Sequence, residues 1–461
     1  MSNTTMNDVV ALAKRRGFVF PGSEIYGGLA NTYDFGPLGV ELLRNIINHW
    51  WDYFVKQRSD MYGLDTSILM SPKVWEASGH TASFTDALID CKSCRTRTRA
   101  DHLIEDFAEK QGKEEKVEGK TPEELTSMIR EMGIKCPVCG NQDWTDVRSF
   151  NLLFETNIGI VEESQSQAYL RGEIAQGMFV NFKNVLNTMR PKLPFGIAQT
   201  GKAFRNEITL GNFIFRTLEF NLAEFEYFFD PETQNWEELF EEWQKIMMEF
   251  AKSLGLEENK LRWRTHTDEE RSHYSTRTED IDYEFPFGFK EMFGLAYRTD
   301  FDLKNHMEKS GVDLRYTDPY DPKRKFIPHV IEPTFGINRI FLAVLAQSYI
   351  QEGERTYLKL PHKLAPYKVA VFPIVKNKEE SVGEAREVVD SLKKITNATW
   401  DERGNIGKRY LAQDEIGRPY CVTIDYETLE DGTVTLRNRD TAEQERLTIS
   451  ELEERLANML Q

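Results

Sequence analysis

Residues 204–229 read FRNEITLGNFIFRTLEFNLAEFEYFF. The stretch is rich in aromatic and β-forming residues and is interrupted once, at Thr209-Leu210-Gly211-Asn212. That pattern predicts two strands, 204–208 and 213–229, joined by a short loop. Arg205 and Glu207 stand two apart in the first, so a strand points them to one face. An arginine there can hold a phosphate through two parallel hydrogen bonds, and a glutamate can accept one from an amino group. Taken alone, Phe204-Arg205-Asn206-Glu207 reads as a surface ion pair.

The surroundings change that reading. Phe220 follows Arg205 by 15 residues, flanked by Glu219 and followed by Glu224. Farther on, Glu332-Pro333-Thr334-Phe335-Gly336-Ile337-Asn338-Arg339 leads into a helix predicted within 333–349. A glycine before a helix start, with an arginine in the first turn, suits a polyphosphate. The plain alternatives are a core aromatic for Phe220 and a solvated helix residue for Arg339. Upstream, 38–55 reads as a long amphipathic helix with Pro37 in its first turn. A strand-like run, 67–70, then ends at Ser71-Pro72.

Other segments fall around this centre. Residues 9–16 and 236–254 are helix-like, and 280–302 is strand-like and aromatic. Two prolines, Pro361 and Pro366, mark a linker. Beyond it come a strand at 369–375, a helix at 384–395 and a hairpin, 420–426 with 433–438, across Asp431-Gly432. Ser450 and Glu453 fit a capping box for the last helix. This tail reads as a separate α/β domain.

Residues 91–147 differ in character and read as an insertion. Cys91 with Cys94, and Cys136 with Cys139, form two Cys-x-x-Cys pairs. Two such pairs in a reducing compartment favour a structural zinc with four thiolate ligands over disulfides. The plain alternative is reduced, metal-free cysteines. His80 and His102 read as polar-site or surface histidines, because four thiolates complete a tetrahedral site. Cys421, in an apolar run, reads as a buried small hydrophobe. Thr121-Pro122-Glu123-Glu124 signals a helix start.

Length and composition bound the rest. The 461 residues exceed one ordinary domain, and 40% hydrophobic residues can fill sizeable cores. The net charge of −17 argues against a general nucleic-acid binder, yet leaves room for a local basic surface. Arg95, Arg97, Arg99, Arg403, Lys408, Arg409 and Arg418 are the candidates for one. No apolar run reaches the ~20 residues of a membrane helix, and residues 1–10 lack a signal-peptide core. A soluble, cytoplasmic protein without a membrane partner is expected.

Three features together resemble the signature motifs of class II aminoacyl-tRNA synthetases: the helix-to-proline stretch 38–72, the strand–loop–strand beginning Phe204-Arg205-Asn206-Glu207, and the helix with Gly336-x-x-Arg339. Further stretches are similar to glycine–tRNA ligases. They are 99–105 (RADHLIE), 169–177 (YLRGEIAQG), 282–288 (DYEFPFG), 298–303 (RTDFDL) and, in the tail, 401–407 with 414–417. The resemblance runs from about residue 12 to residue 446.

The resemblance implies an α+β fold. A class II antiparallel-sheet catalytic core (1–90 and 148–360) would carry a zinc-knuckle insertion (91–147) and a C-terminal anticodon-binding α/β domain (361–461). It implies ATP, glycine and tRNA(Gly) as partners, magnesium with the ATP, and a homodimer with 38–72 at its interface. Arg205 would hold the ATP α-phosphate and, with Arg339, carry catalysis. Glu207 would accept from the adenine amino group, with Phe220 and Arg339 covering the two adenine faces. Asn206, Phe215, Arg216, Glu219, Glu291, Met292 and Gly336 would complete the ATP site. Glu173, Glu224 and Glu332 would receive the glycine ammonium, with Arg99 and Arg298 nearby, Thr334 as the floor, and Phe220 and Gly336 at the border.

The sequence departs from the family at Leu218, where arginine is usual. Leu210 replaces proline, Asn338 glycine and Thr334 serine, and residues 221–223 differ from the commoner pattern. Two rival readings stand beside this one. A non-catalytic, synthetase-like accessory protein would lose the ATP-site arginines, and a class II ligase for another amino acid would lack the glycine-specific stretches.

Overall fold

A computed structural model describes residues 4–113, 115, 117, 119–160, 166–207, 211–267, 271, 275–374 and 378–459. Its centre is a seven-stranded sheet. In chain order the strands are Met61–Gly63 (β1), Phe195–Phe204 (β2), Glu219–Phe229 (β3), Leu261–Thr265 (β4), Arg277–Phe285 (β5), Gly288–Thr299 (β6) and His329–Gly336 (β7). In space the order is β4-β5-β6-β7-β3-β2-β1, antiparallel throughout except where β1 joins β2.

β3 shows why the sheet sits between two helical layers. Its odd positions, Ala223, Phe225, Tyr227 and Phe229, enter the large core. That core also takes Ile46 and Trp50 from helix Pro37–Trp51 (α1), Trp243 and Phe250 from Trp236–Ser253 (α3), and Phe341 from Ile337–Ser348 (α4). On the other face Phe228 meets Phe179 and Phe182 of helix Ala175–Met189 (α2). Both faces are covered, so from Leu222 to Phe229 β3 is apolar at every position except Glu224 and Glu226, which are buried nonetheless.

The insertion is built on a three-stranded sheet, with Thr85–Asp90 between Arg97–Arg99 and Arg148–Asn151. Its helix Pro122–Glu131 begins at Thr121, which forms a capping box with Glu124. The tail sheet orders Ala398–Trp400, Val369–Pro373, Tyr420–Ile424, Thr433–Asn438 and Gln444–Thr448. The first three are parallel and the last two antiparallel. The architecture is the α+β arrangement expected: an antiparallel-sheet core, a four-cysteine insertion and an α/β tail. No helix among the described residues is long and apolar enough to cross a membrane.

Several local expectations are corrected. Phe204 ends β2, so Arg205, Asn206 and Glu207 lie beyond the strand. The next strand starts at Glu219 rather than at 213, because Phe213–Phe215 forms a short 3-10 turn entered through a left-handed Phe213 (φ 56°). Leu210 lies outside the described residues. The last helix, Ile449–Met459, is capped by Thr448 with Glu451, two residues earlier than Ser450 with Glu453. Both pairs fit the pattern, and the end of strand Gln444–Thr448 selects the first. Cys421 is buried against Ala370 and Phe372, and burial pushes its thiol up to about 12.

Candidate active site

The cleft opens over β3, β6 and β7 and encloses ≈ 600 Å³ including its mouth. Arg205, Glu207, Phe215, Arg216, Phe220, Glu291, Met292, Thr334, Gly336 and Arg339 all line it, as do Thr217, Asn221, Leu222 and Asn338. Its Thr334 belongs to a row of residues that crosses the sheet. Arg264, Asp280, Gly294, Thr334, Glu224 and Gln199 are successive cross-strand partners on β4, β5, β6, β7, β3 and β2.

The three cleft arginines are held differently. Arg205 donates from Nε to the Gly172 carbonyl (3.0 Å), and its guanidinium lies 5.1 Å from the Phe84 ring centre and 5.4 Å from that of Phe220. Arg216 pairs with Glu207 (3.3 Å). Arg339, in the first turn of α4, reaches Glu291 through both its carboxylate and its carbonyl (3.0 Å each) and covers the Phe215 ring at 4.6 Å. Gly336 makes that turn possible: a Cβ there would stand 3.2 Å from Arg339 Cδ and 3.3 Å from the Met292 carbonyl.

Not every expected residue reaches the cleft. Glu219 pairs with Lys202 on the exposed side of β3, and Asn206 spends its backbone N–H on Leu152. Arg99 pairs with Asp86 (2.9 Å) and Asp101 in the insertion, close enough to Glu207 for their charges to interact. It stands at the cleft mouth, apart from the buried glutamates.

Glu224 and Glu332 stand two residues beyond the lining residues Leu222 and Thr334 on the same strands. Arg298 is 1% exposed and clasps Asp302 through Nε and Nη2 (2.8 Å each) and Glu332 through Nη1 (2.8 Å). Glu173 accepts from Gln176 (2.9 Å) and lies 3.1 Å from His80 Nε2. Burial opposes ionisation of Glu173, but His80, Arg298 and Gln176 outweigh it and hold the carboxyl low. Glu332 is pushed up to about 7 by burial, against the pull of Arg298. Burial, then Glu332 and Glu173, drive Glu224 well above the usual carboxylate range. The sequence reading missed Gln176, Asp302 and Glu226 here and gave His80 a lesser role. The stretches 169–177 and 298–303 carried the first two without marking them.

Two departures from the family meet in space. Asn338 Oδ1 accepts from the Asn221 backbone (3.2 Å) and side chain (2.9 Å). Leu218 ties three segments by its backbone, donating to Asn31 and accepting from Arg205 (3.0 Å each).

The four paired cysteines converge. All four sulfurs lie within 4.8 Å of one another, with Cys91–Cys139 and Cys94–Cys136 at 3.6 Å. That separation is far beyond a disulfide's ~2.05 Å. A tetrahedron with zinc–sulfur bonds of ~2.3 Å has edges of about 3.8 Å, so the group fits the metal. Two of the basic candidates are corrected. Arg409 and Arg418 are buried and donate to backbone carbonyls, Arg409 to those of Glu402 and Gly404 (2.9 Å) and Arg418 to that of Val369 (3.3 Å), so neither faces a nucleic acid.

Residues 154–348 match the tRNA synthetase class II core domain (G, H, P, S and T). Residues 114–152 match the glycyl-tRNA synthetase insertion domain 1, and 368–459 the anticodon binding domain. The chain is 51% identical over 461 residues to a glycine–tRNA ligase of Caldanaerobacter subterraneus subsp. tengcongensis, covering 99% of this chain and 98% of that one. It is 52% identical over 454 residues to one from Geobacillus thermodenitrificans, covering 97% and 96%. A Bacillus cereus relative of the same name is 50% identical over 462 residues, covering 99% of each.

Proposed function

The chain belongs to the glycine–tRNA ligase family of class II aminoacyl-tRNA synthetases, and from that premise we propose that it forms glycyl-adenylate in the cleft between Arg205 and Arg339 and passes glycine to tRNA(Gly). One observation carries the reading. Three arginines line the cleft, and the strands that carry its Leu222 and Thr334 bear, two residues farther on the same faces, the buried carboxyls Glu224 and Glu332 beside Arg298, so cationic groups adjoin anionic ones. Phosphates and a carboxylate fit the first, and an ammonium fits the second.

The roles follow from charge. In the first step a glycine carboxylate oxygen attacks the α-phosphorus in line, the bond from that phosphorus to the β-phosphate oxygen breaks and pyrophosphate leaves, while negative charge gathers on the phosphate oxygens. A fixed Arg205 guanidinium stabilises that charge more than it stabilises the ground state. Phe220 and Arg339 take the two adenine faces, and Glu207 accepts from the adenine amino group. Glu224 receives the ammonium, with Glu173 and Glu332 beside it. Thr334, its row partner on β7, limits depth, so larger amino acids are excluded sterically. Magnesium accompanies ATP and neutralises phosphate charge. For the second step the cleft offers no dedicated base, and the leaving phosphate or solvent takes the ribose proton.

The remaining assignments complete the proposal. The core comprises 1–90 and 148–360, the insertion 91–147 and the anticodon-binding domain 361–461. The protein works in the cytoplasm as a homodimer.

Pyrophosphate–ATP exchange across a panel of amino acids tests the reading. Exchange is expected with glycine alone, and exchange with serine or threonine but not glycine would overturn it. Glu224→Ala is expected to raise the KM for glycine about 100-fold while moving that for ATP less than about threefold, as the loss of a buried charge partner predicts. Equal effects on both would count against the assignment.

The raised carboxyls give a pH signature. Glu332 sits near 7 in the folded chain against 4.5 ordinarily, so the folded state holds its proton longer. Its contribution to stability is full below about 4.5 and is lost as pH rises to about 7. An ammonium between the carboxyls offsets the loss. Saturating glycine should therefore raise Tm more at about pH 8 than at about pH 5.5. Equal shifts would show that glycine binds without this coupling.

Zinc would staple the insertion, whose core includes Cys91 and Cys136 beside Ile104, Ile129 and Trp144. Elemental analysis is expected to find about one zinc per chain, and Cys136→Ser to lose it together with the insertion's protease resistance. Metal-free protein with an intact insertion would remove the assignment.

A further inference from the structure

Behind Glu224 lies a carboxyl to which none of the roles above falls. Glu226 is two residues deeper on β3 and on the same face, with about 7 Å between the two Cα atoms. It is 0% exposed, and neither of its oxygens has a hydrogen-bond partner among the described residues. Glu224 Oε2 and Gln199 Nε2, neighbours in the row across the sheet, are in the same condition. These residues lie on one face of the sheet.

Charge decides what Glu226 can be. Around it stand Glu224 on its own strand, Glu332 on β7, Arg298 on β6, and Asp302 on the helix Phe301–Ser310. On β2 its neighbour is Ile197, which offers no charge. Arg298 is already committed to Asp302 and Glu332. A fifth ionised carboxylate, counted with Glu173, Glu224, Glu332 and Asp302, would be buried where Arg298 already ion-pairs with Asp302 and Glu332. Such a group costs several kcal/mol unless it keeps its proton. A neutral carboxylic acid also gains what the site lacks, an O–H donor beside an acceptor without one.

We propose that Glu226 is a positioning residue of the glycine site: it remains a neutral carboxylic acid and donates its proton toward Glu224, orienting that carboxylate for the substrate ammonium. Glu226 does not touch glycine. It leaves Glu224 to ionise against an entering ammonium and fixes where that carboxylate points. The inference rests on the glycine-pocket reading of Glu224.

The test is glycine-dependent ATP–pyrophosphate exchange by the full-length Glu226→Gln and Glu226→Met proteins. An amide N–H replaces the acid O–H, so Glu226→Gln is expected to keep the KM for glycine within about twofold, with an unchanged pH profile from about 6 to about 8.5. Methionine keeps volume and removes the donor, so Glu226→Met is expected to raise that KM about tenfold or more while the KM for ATP stays within about twofold. If glutamine and methionine raise the glycine KM equally, an ionised carboxylate is required and the proposal fails. If methionine leaves it unchanged, Glu226 does not act through Glu224 and the proposal also fails. Absence of glycine exchange in the unsubstituted protein would instead overturn the pocket reading itself.

Discussion

Replacing Arg205 with alanine is expected to lower the rate of glycyl-adenylate formation by about 10²–10³, the effect of losing one preorganised donor at a developing anion. The side chain is built for this role. Among the described residues its side chain makes one hydrogen bond, from Nε to the Gly172 carbonyl, which fixes the guanidinium plane, and Phe84 and Phe220 flank it. The two Nη groups are left facing the cleft. Little of the fold depends on them, so the variant should melt within a few degrees of the parent. Arg205→Lys should recover little, because a single ammonium cannot reproduce a planar fork. Single-turnover exchange together with thermal melts provides the check. A rate within about fivefold of the parent would move the catalytic burden to Arg216 or Arg339.

Much of this was legible in the sequence, and the reasons differ from place to place. β3 announced itself because eight successive positions, Leu222 to Phe229, are buried on two covered faces. The motif around Gly336 was equally plain, since a glycine leading into a helix with arginine in its first turn has few other uses. The loop between β2 and β3 was not. Periodicity extended both strands through it, whereas the backbone turns at Phe213 and brings Arg216 back toward Glu207. Strand propensity describes single residues and cannot register an ion pair across the loop.

The buried carboxyls were legible only in part. Glu173, Glu224 and Glu332 came through the resemblance, but their partners are scattered. His80 reaches Glu173 across 93 residues, and Gln176 reaches Asp302 across 126. No local pattern records such contacts. Basic residues misled in the opposite direction. Arg409 and Arg418 look like a nucleic-acid surface in the sequence, yet both are buried and donate to backbone carbonyls. The departures at Asn221 and Asn338 explain each other once they are seen hydrogen-bonded. At Leu218 the missing charge leaves Arg205, Arg216 and Arg339 as the arginines lining the cleft, while its backbone still ties the loop in place.

Arg298→Met should destabilise the protein by about 3–5 kcal/mol at neutral pH, the range seen when one partner of a buried ion pair is removed. Against a total stability of about 5–15 kcal/mol this is a large fraction. Methionine roughly preserves volume and can still pack on Phe179, whose ring lies 5.3 Å from the guanidinium carbon. The loss is therefore electrostatic. Asp302 gives up two hydrogen bonds and Glu332 one, and Glu173 loses a nearby positive charge. Without Arg298, burial raises the folded-state pKa of Glu332 and Glu173. A carboxyl raised above its unfolded value stabilises the fold below that value and withdraws the stability as pH climbs toward the folded one. The deficit of Arg298→Met should consequently shrink between about pH 7.5 and about pH 5, as the orphaned carboxyls take up protons. Arg298→Lys should fall between, retaining the charge and losing the two-pronged grip on Asp302. Urea unfolding at the two pH values separates the alternatives. A deficit that is the same at both would mean that Arg298 stabilises the fold through contact with Phe179 and not through the carboxyls it clasps.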